Sequence, residues 1–212
     1  MQDGICVSSH IRLAIAPGVP SRQLSALLAL QREEEPEVAI TLSEVSNDAL
    51  MLGLREGRYD AGLAFSDAAN ASLHSQPLWR EEMAIATPLR HPLLEKAALS
   101  LNDVADYPVF RWRTEICPLL EQQIACLPEK PCDIQYVTSF ELMAMWVVAG
   151  YGIGITAQSR LASARAWDIC MRPFADAPFE IITHLLRLNE EPTLACERFA
   201  HRALRVAKAE TD

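Results

Sequence analysis

The sequence lacks the features that mark several common classes of protein. Acidic residues outnumber basic ones by 28 to 19, so the formal net charge is −9 and no basic surplus is available for nucleic acid. No apolar run approaches the roughly 20 residues that a membrane helix needs. The amino terminus has no basic start followed by an apolar stretch, and the six cysteines form no C-x-x-C pair. These absences argue against three classes of protein: one that binds nucleic acid through this chain, one that spans a membrane, and one held together by disulfides. They favour a cytoplasmic protein with reduced thiols.

Motifs of catalysis and cofactor binding are also missing. The five histidines show no i, i+4 pairing and no nearby cysteine cluster, which predicts that no metal is bound. There is no G-x-S-x-G and no evident spacing of nucleophile and base. A glycine-rich run at 150–154 follows a predicted helix and precedes a predicted strand, which is the wrong order for a dinucleotide fingerprint. We therefore expect no catalytic residues and no cofactor.

What the sequence does contain is a regular alternation of strand-like and helix-like segments. In the first half the patterns predict strands at 11–16, 38–42, 61–65 and 83–87, a helix that ends before Pro36, and a helix at 48–56 with Asn47 as N-cap and Gly57 in a left-handed conformation. The stretches at 66–76, 88–106 and 172–180 are predicted to be mainly loops.

The second half continues the alternation. It predicts strands at 108–112, 134–137, 153–156 and 181–186, a helix from Pro118 to about Leu127, a helix to Ala149 opened by a T-x-x-E capping box (Thr138 and Glu141), and a last helix opened by Pro192. The basic side chains of that last helix are predicted to form its solvent face: Arg198, Arg202, Arg205 and Lys208. Such alternation with short links predicts α/β layers over mostly parallel sheets, with small ligands binding at the carboxyl ends of the strands.

Four segments carry a resemblance to a known family. They are LREGRYDAGLAF (54–65), PLWREEMAIATPLRHPL (77–93), LSLNDVADYP (99–108) and VTSFELMAMWVVAGYGIGI (137–155). In this order and spacing the chain resembles the effector-binding domain of LysR-type transcriptional regulators, from Ile11 to about Val206.

The resemblance implies a fold like that of type 2 periplasmic binding proteins, in which two Rossmann-like lobes enclose an interlobe cleft for a small molecule. Lobe one would comprise 11–87 plus 178–207 and lobe two 88–177, with 1–10 as a remnant of a linker and 208–212 as a tail. Family members carry an N-terminal winged helix-turn-helix, which cannot fit before Ile11, so the chain would be a truncated regulator that reaches DNA only through the missing domain. The resemblance also implies a homodimer or tetramer, with the exposed ends of helices 22–34 and 118–127 as contact candidates.

The implied effector contacts lie where strands end and helices begin. They are Pro17, Gly18, Ser21, Ser46, Asn47, Phe65, Arg113, Thr114, Ser139, Phe140 and Gly152. Many relatives place Ser or Thr in the first loop, whereas Ala16 and Gly18 stand here. Ser21 and Asn47 could equally serve only as helix caps. Arg113 with Thr114 could hold a carboxylate, so an organic acid is one candidate class of effector.

Two alternatives remain open at this point. A solute-binding protein shares the implied fold, although the missing signal and the six thiols argue against it. The peroxide-sensing branch of the family uses two cysteines at a separation similar to that of Cys117 and Cys126. Nine residues of helix rise about 13.5 Å, whereas a disulfide needs Cα atoms within about 7 Å. Redox sensing would therefore require local unfolding of the helix.

Overall fold

The computed structural model describes residues 10–65, 72–113, 117–127, 133–164, 167–176, 178–189 and 193–209. The chain divides into two compact units: unit 1 runs to Trp79 and resumes at Ile182, and unit 2 comprises Arg80–Ile181. Each unit is an α/β layer structure, as the alternating pattern predicts. None of the helices in the described ranges is both long and apolar enough to cross a membrane.

Unit 1 is built on three parallel strands and three helices. The strands are β1 (His10–Ile15), β2 (Ala39–Glu44) and β3 (Ala61–Ala64), and the helices are α1 (Ser21–Glu34), α2 (Asn47–Arg55) and α7 (Leu194–Ala209). β1 lies between β2 and β3, and β9 (Glu180–Leu188) pairs with β3 in the antiparallel sense. β3 is buried along its whole length, and β1 is buried at every position except His10 and Arg12.

Unit 2 repeats this plan with its own sheet. Its parallel strands are β5 (Val109–Trp112), β6 (Ile134–Val137) and β7 (Ile153–Ala157), and β4 (Leu73–Pro88) and β8 (Ile169–Pro173) complete the sheet as antiparallel members. The helices are α3 (Leu101–Val104), α4 (Pro118–Cys126), α5 (Phe140–Val148) and α6 (Gln158–Ser163). β5 is central, with β6 on one side and β7 on the other.

Most predicted elements are confirmed within two residues, but β4 is much longer than the pattern indicates. The prediction assigned a strand to 83–87 and a loop to 66–76, whereas β4 begins at Leu73 and runs for 16 residues. Its last part pairs with β7 and β8, and this pairing places residues 80–87 in unit 2. The borders of the two units therefore lie inside β4 and β9, while the predicted lobe borders were 87/88 and 177/178.

The prediction of a fully wet basic face on α7 is wrong. Arg202 is only 6% exposed, and its Nε and Nη1 lie 2.8 Å from Glu34 Oε2 and from Glu35 Oε2. Arg198 pairs with Glu35, and the more exposed Arg205 pairs with Glu34. Lys208 is exposed near the end of α7. The acidic carboxyl end of α1 packs against α7, so Arg202 is buried there, while Arg198 and Arg205 pair with carboxylates and remain partly in water.

Candidate functional site

In unit 1 the carboxyl ends of three parallel strands bring together the loops that the sequence singled out. Pro17 and Gly18 follow β1, Ser46 follows β2, and Phe65 follows β3. Because parallel strands end at one edge of a sheet, these residues share that edge. Pro17, Gly18, Ser46 and Phe65 therefore lie along one edge of the unit 1 sheet.

The loop after β1 is held in a fixed shape by its own backbone. The N–H of Ala16 donates to Leu63 O at 2.8 Å, and the N–H of Val19 donates to Ala16 O at 3.3 Å. Gly18 adopts a φ of 104°, which residues with a Cβ rarely adopt. Ser21 is an exposed first residue of α1 and does not cap it, since Pro20 takes the N-cap position.

The second loop corrects one prediction about helix capping. The hydroxyl of Ser46 accepts a hydrogen bond from the N–H of Ala49 at 3.4 Å, so Ser46 caps α2 and Asn47 is the first helical residue. Within the described ranges, the buried Oδ1 of Asn47 has no hydrogen-bond partner. Phe65 is 5% exposed and is mainly a packing residue at this edge.

In unit 2 the same edge carries two arginines that lie on aromatic rings. The guanidinium of Arg113, which follows β5, lies 5.5 Å from the ring centre of Tyr136. The guanidinium of Arg160 lies 4.4 Å from the ring centre of Trp112, the last residue of β5. The predicted candidate Thr114 lies outside the described residues. Sequence reasoning missed Arg160, although its place just beyond β7 matches that of Arg113 beyond β5.

Ser139, not Thr138, opens helix α5. Its hydroxyl accepts a hydrogen bond from the N–H of Leu142 at 3.2 Å, so the predicted capping box with Thr138 is wrong by one residue. A hydroxyl that accepts one bond still has its own proton to donate. Phe140 packs against the buried cluster of this unit, of which Phe110 is a member. Because Ser139 and Phe140 follow β6, they lie at the carboxyl edge of the unit 2 sheet.

Gly152 does not join the other candidates. It precedes β7 and so lies at the amino edge of the sheet, opposite to the loops described above. A Cβ added to Gly152 would lie 2.3 Å from the carbonyl oxygen of Pro108, the residue that precedes β5. The glycine serves the close approach of two backbone segments, which is a structural role.

Unit 2 also holds a buried arginine and two cysteines that matter for ligand binding and for redox chemistry. Arg111 is 1% exposed, and its Nη1 lies 2.7 Å from Glu121 Oε1. Cys117, the N-cap residue of α4, is also 1% exposed, and burial raises the pKa of its thiol although nearby Arg111 opposes that shift. Cys126 is exposed at the other end of α4. In the part of the chain that the structure describes, no three His, Cys, Asp or Glu side chains are grouped to hold a metal ion.

Comparisons with known proteins agree with this architecture. The chain is 26% identical over 126 residues to the HTH-type transcriptional regulator AlsR of Bacillus subtilis, a match that covers 58% of this chain and 42% of AlsR. It is 29% identical over 124 residues to a probable hydrogen peroxide-inducible genes activator of Mycobacterium avium, which covers 58% and 37% of the two chains. The effector binding domain of QuiR in complex with shikimate superposes with a TM-score of 0.83 at 20% identity, over 95% of this chain and 98% of that one.

The chain spans about two fifths of the length of these two curated relatives. The likeness to QuiR extends over nearly the whole of both chains and shows a shared fold. The family model described as the LysR substrate binding domain matches residues 7–208, which is almost the entire sequence. The chain therefore belongs to the LysR substrate binding domain family.

Proposed function

We propose that this chain is the part of a LysR-type transcriptional regulator that senses a small organic acid. One observation carries the choice of an acid: the carboxyl edge of unit 2 presents Arg113 and Arg160 together with the hydroxyl of Ser139. A guanidinium binds a carboxylate through paired N–H groups, and a hydroxyl can donate to the same oxygens. The related QuiR domain is described in complex with shikimate, which is a carboxylate.

Thiol-based peroxide sensing is the weaker candidate, although one relative is named as a probable peroxide-inducible activator. A reactive cysteine needs a thiolate with access to solvent. Cys117 is 1% exposed, and burial raises the pKa of its thiol. Cys126 is separated from it by the whole length of α4. Both features oppose rapid oxidation of Cys117 and its pairing with Cys126 while α4 stays folded.

The proposal includes partners that the sequence resemblance implies. The whole regulator would bind DNA through a winged helix-turn-helix outside this chain, act in the cytoplasm and carry out no catalysis. It would form a homodimer or tetramer. The exposed ends of α1 and α4 would be the candidate contact surfaces between the copies. Effector binding would change transcription by favouring one arrangement of the regulator over another.

A thermal-shift screen of aromatic and aliphatic acids tests the proposal. Ligand that binds only the folded state raises Tm in a concentration-dependent way. We expect at least one acid to stabilise the chain, and we expect Arg113→Met to weaken the binding of that acid by roughly 10- to 150-fold, since a charge-assisted hydrogen bond contributes about 1.5–3 kcal/mol.

Arg90→Met is the matched control, because Arg90 is exposed just beyond the end of β4, at the amino edge of the unit 2 sheet. It removes the same charge far from the proposed site. If no acid raises Tm, or if Arg90→Met weakens binding as much as Arg113→Met does, the proposed function is wrong.

A further inference from the structure

Arg111 is an unusual residue for the middle of a sheet. It lies on β5, with Tyr136 of β6 and Ile155 of β7 as its neighbours in register. It is 1% exposed and is the largest fully buried side chain of the described residues. Removing a guanidinium from water carries a large free-energy penalty unless the group is paired and fully hydrogen-bonded.

The pairing of Arg111 is incomplete. Its Nη1 is 2.7 Å from Glu121 Oε1, yet the N–H direction does not meet hydrogen-bond geometry. Among the described residues, neither Nε nor Nη1 of Arg111 has a hydrogen-bond partner. The counter-ion is itself half in water, because the side chain of Glu121 is 44% exposed. A buried cation therefore depends on one misaligned and partly hydrated carboxylate.

The location of this pair relates it to the candidate site. Glu121 is the fourth residue of α4, and only residues 113–117 separate β5 from that helix. The first turn of α4 thus lies near the carboxyl end of β5, at the edge that also carries Arg113. Because its side chain is 44% exposed, Glu121 reaches from the Arg111 guanidinium to solvent at this edge.

We propose that Arg111 is a further residue that binds the effector carboxylate, beside Arg113, and that Glu121 is the internal carboxylate which this ligand displaces. The inference deepens the proposed function and rests on it for the effector's class. A ligand carboxylate would accept two parallel N–H bonds from the guanidinium, in place of the single misaligned contact with Glu121. The ligand must compete with Glu121, which would keep the affinity for simple monocarboxylates low in the wild-type chain.

The test uses sodium acetate as the probe and Glu121→Gln as the variant. Removing the competing charge should leave Arg111 ready for an external carboxylate. We expect the Kd for acetate, obtained from Tm against acetate concentration at constant ionic strength with chloride as the reference anion, to fall at least tenfold. Glu56→Gln is the matched control, because Glu56 also pairs with an arginine, Arg58, and both of those side chains are half exposed in unit 1.

A double variant, Arg111→Met with Glu121→Gln, shows whether the gain depends on Arg111. It replaces the whole pair with neutral side chains, and such replacements usually preserve folding. We expect it to lose the acetate response of Glu121→Gln. The inference is overturned if Glu121→Gln binds acetate no better than Glu56→Gln, or if the double variant keeps the response.

The two proposals can fail separately. If an acid from the screen stabilises the wild-type chain and Arg113→Met weakens it, while Glu121→Gln gains no acetate binding, the proposed function stands and the role of Arg111 is wrong. If Glu121→Gln gains acetate binding but no acid stabilises the wild-type chain, Arg111 is an anion site and its assignment to an effector is overturned.

Discussion

Replacing Arg202 of α7 with Met should destabilise the chain strongly, because this arginine is buried and paired. Arg202 is 6% exposed, and its guanidinium contacts three side chains at the carboxyl end of α1: Nε meets Glu34 Oε2 at 2.8 Å, and Nη1 meets Gln31 Oε1 at 3.2 Å and Oε2 of the C-cap residue Glu35 at 2.8 Å. Methionine fills similar volume without charge. The variant therefore removes the interactions and keeps most of the packing.

The size of the stability loss follows from the carboxylates that stay buried when Arg202 is removed. Breaking a buried ion pair costs about 3–5 kcal/mol, because the remaining charge stays buried without its partner. Glu35, at 7% exposure, keeps its pair with Arg198, so we expect the low end of that range, about 3 kcal/mol. For a chain of this length that corresponds to a Tm lower by about 6–12 °C.

Urea unfolding followed by circular dichroism measures the loss directly. Arg205→Met is the control on the same helix, since Arg205 is 60% exposed and its pair with Glu34 is largely screened by solvent; it should change stability far less. Glu35→Gln combined with Arg202→Met should recover part of the loss, because no uncompensated carboxylate then remains buried. The reasoning is refuted if Arg202→Met lies within about 0.5 kcal/mol of the wild type, the range of ordinary surface substitutions.

The same cluster predicts a pH dependence with a definite sign. Burial is the largest single influence on Glu35 and raises its pKa, but hydrogen bonds from Gln31, Arg202 and Arg198 together hold the pKa below its ordinary value of 4.5. A carboxyl group with a lowered pKa in the folded state stabilises the fold above its ordinary pKa, and this stability is lost as the pH falls through the folded-state pKa. The difference between wild type and Arg202→Met should therefore shrink as the pH drops below about 4. A difference that stays constant from pH 7 to pH 3 would contradict this account.

Two smaller predictions follow from unit 2. Gly152→Ala should cost about 1–3 kcal/mol in urea unfolding, since its Cβ would lie 2.3 Å from the backbone oxygen of Pro108; a stability equal to that of the wild type would disprove the close approach. Cys117→Ser should leave the rate of reaction with hydrogen peroxide almost unchanged, because burial raises the pKa of the Cys117 thiol and keeps it protonated. A large fall in that rate, measured by mass spectrometry of the oxidised chain, would favour the redox alternative instead.

Local patterns in the sequence predict most elements because each element has a period and an end signal of its own. The apolar run of β1, the stop at Pro36 and the left-handed Gly57 are all visible without knowledge of neighbours. Capping is predicted less accurately, since adjacent polar residues compete for one position. Ser46 and Ser139 take the caps that the pattern assigned to Asn47 and Thr138. The difference of one residue depends on backbone angles that the sequence does not display.

The sequence by itself determines the acidic charge, the alternation of strand and helix patterns, and the resemblance of four segments to one family, which the match over residues 7–208 confirms. Only the tertiary structure decides which charged side chains are buried. Arg111 and Arg202 are indistinguishable from surface arginines in the sequence, yet both are buried against carboxylates from another element. Burial depends on what packs across a sheet or helix, and contacts between residues as distant as Glu35 and Arg202 are not encoded in any local pattern.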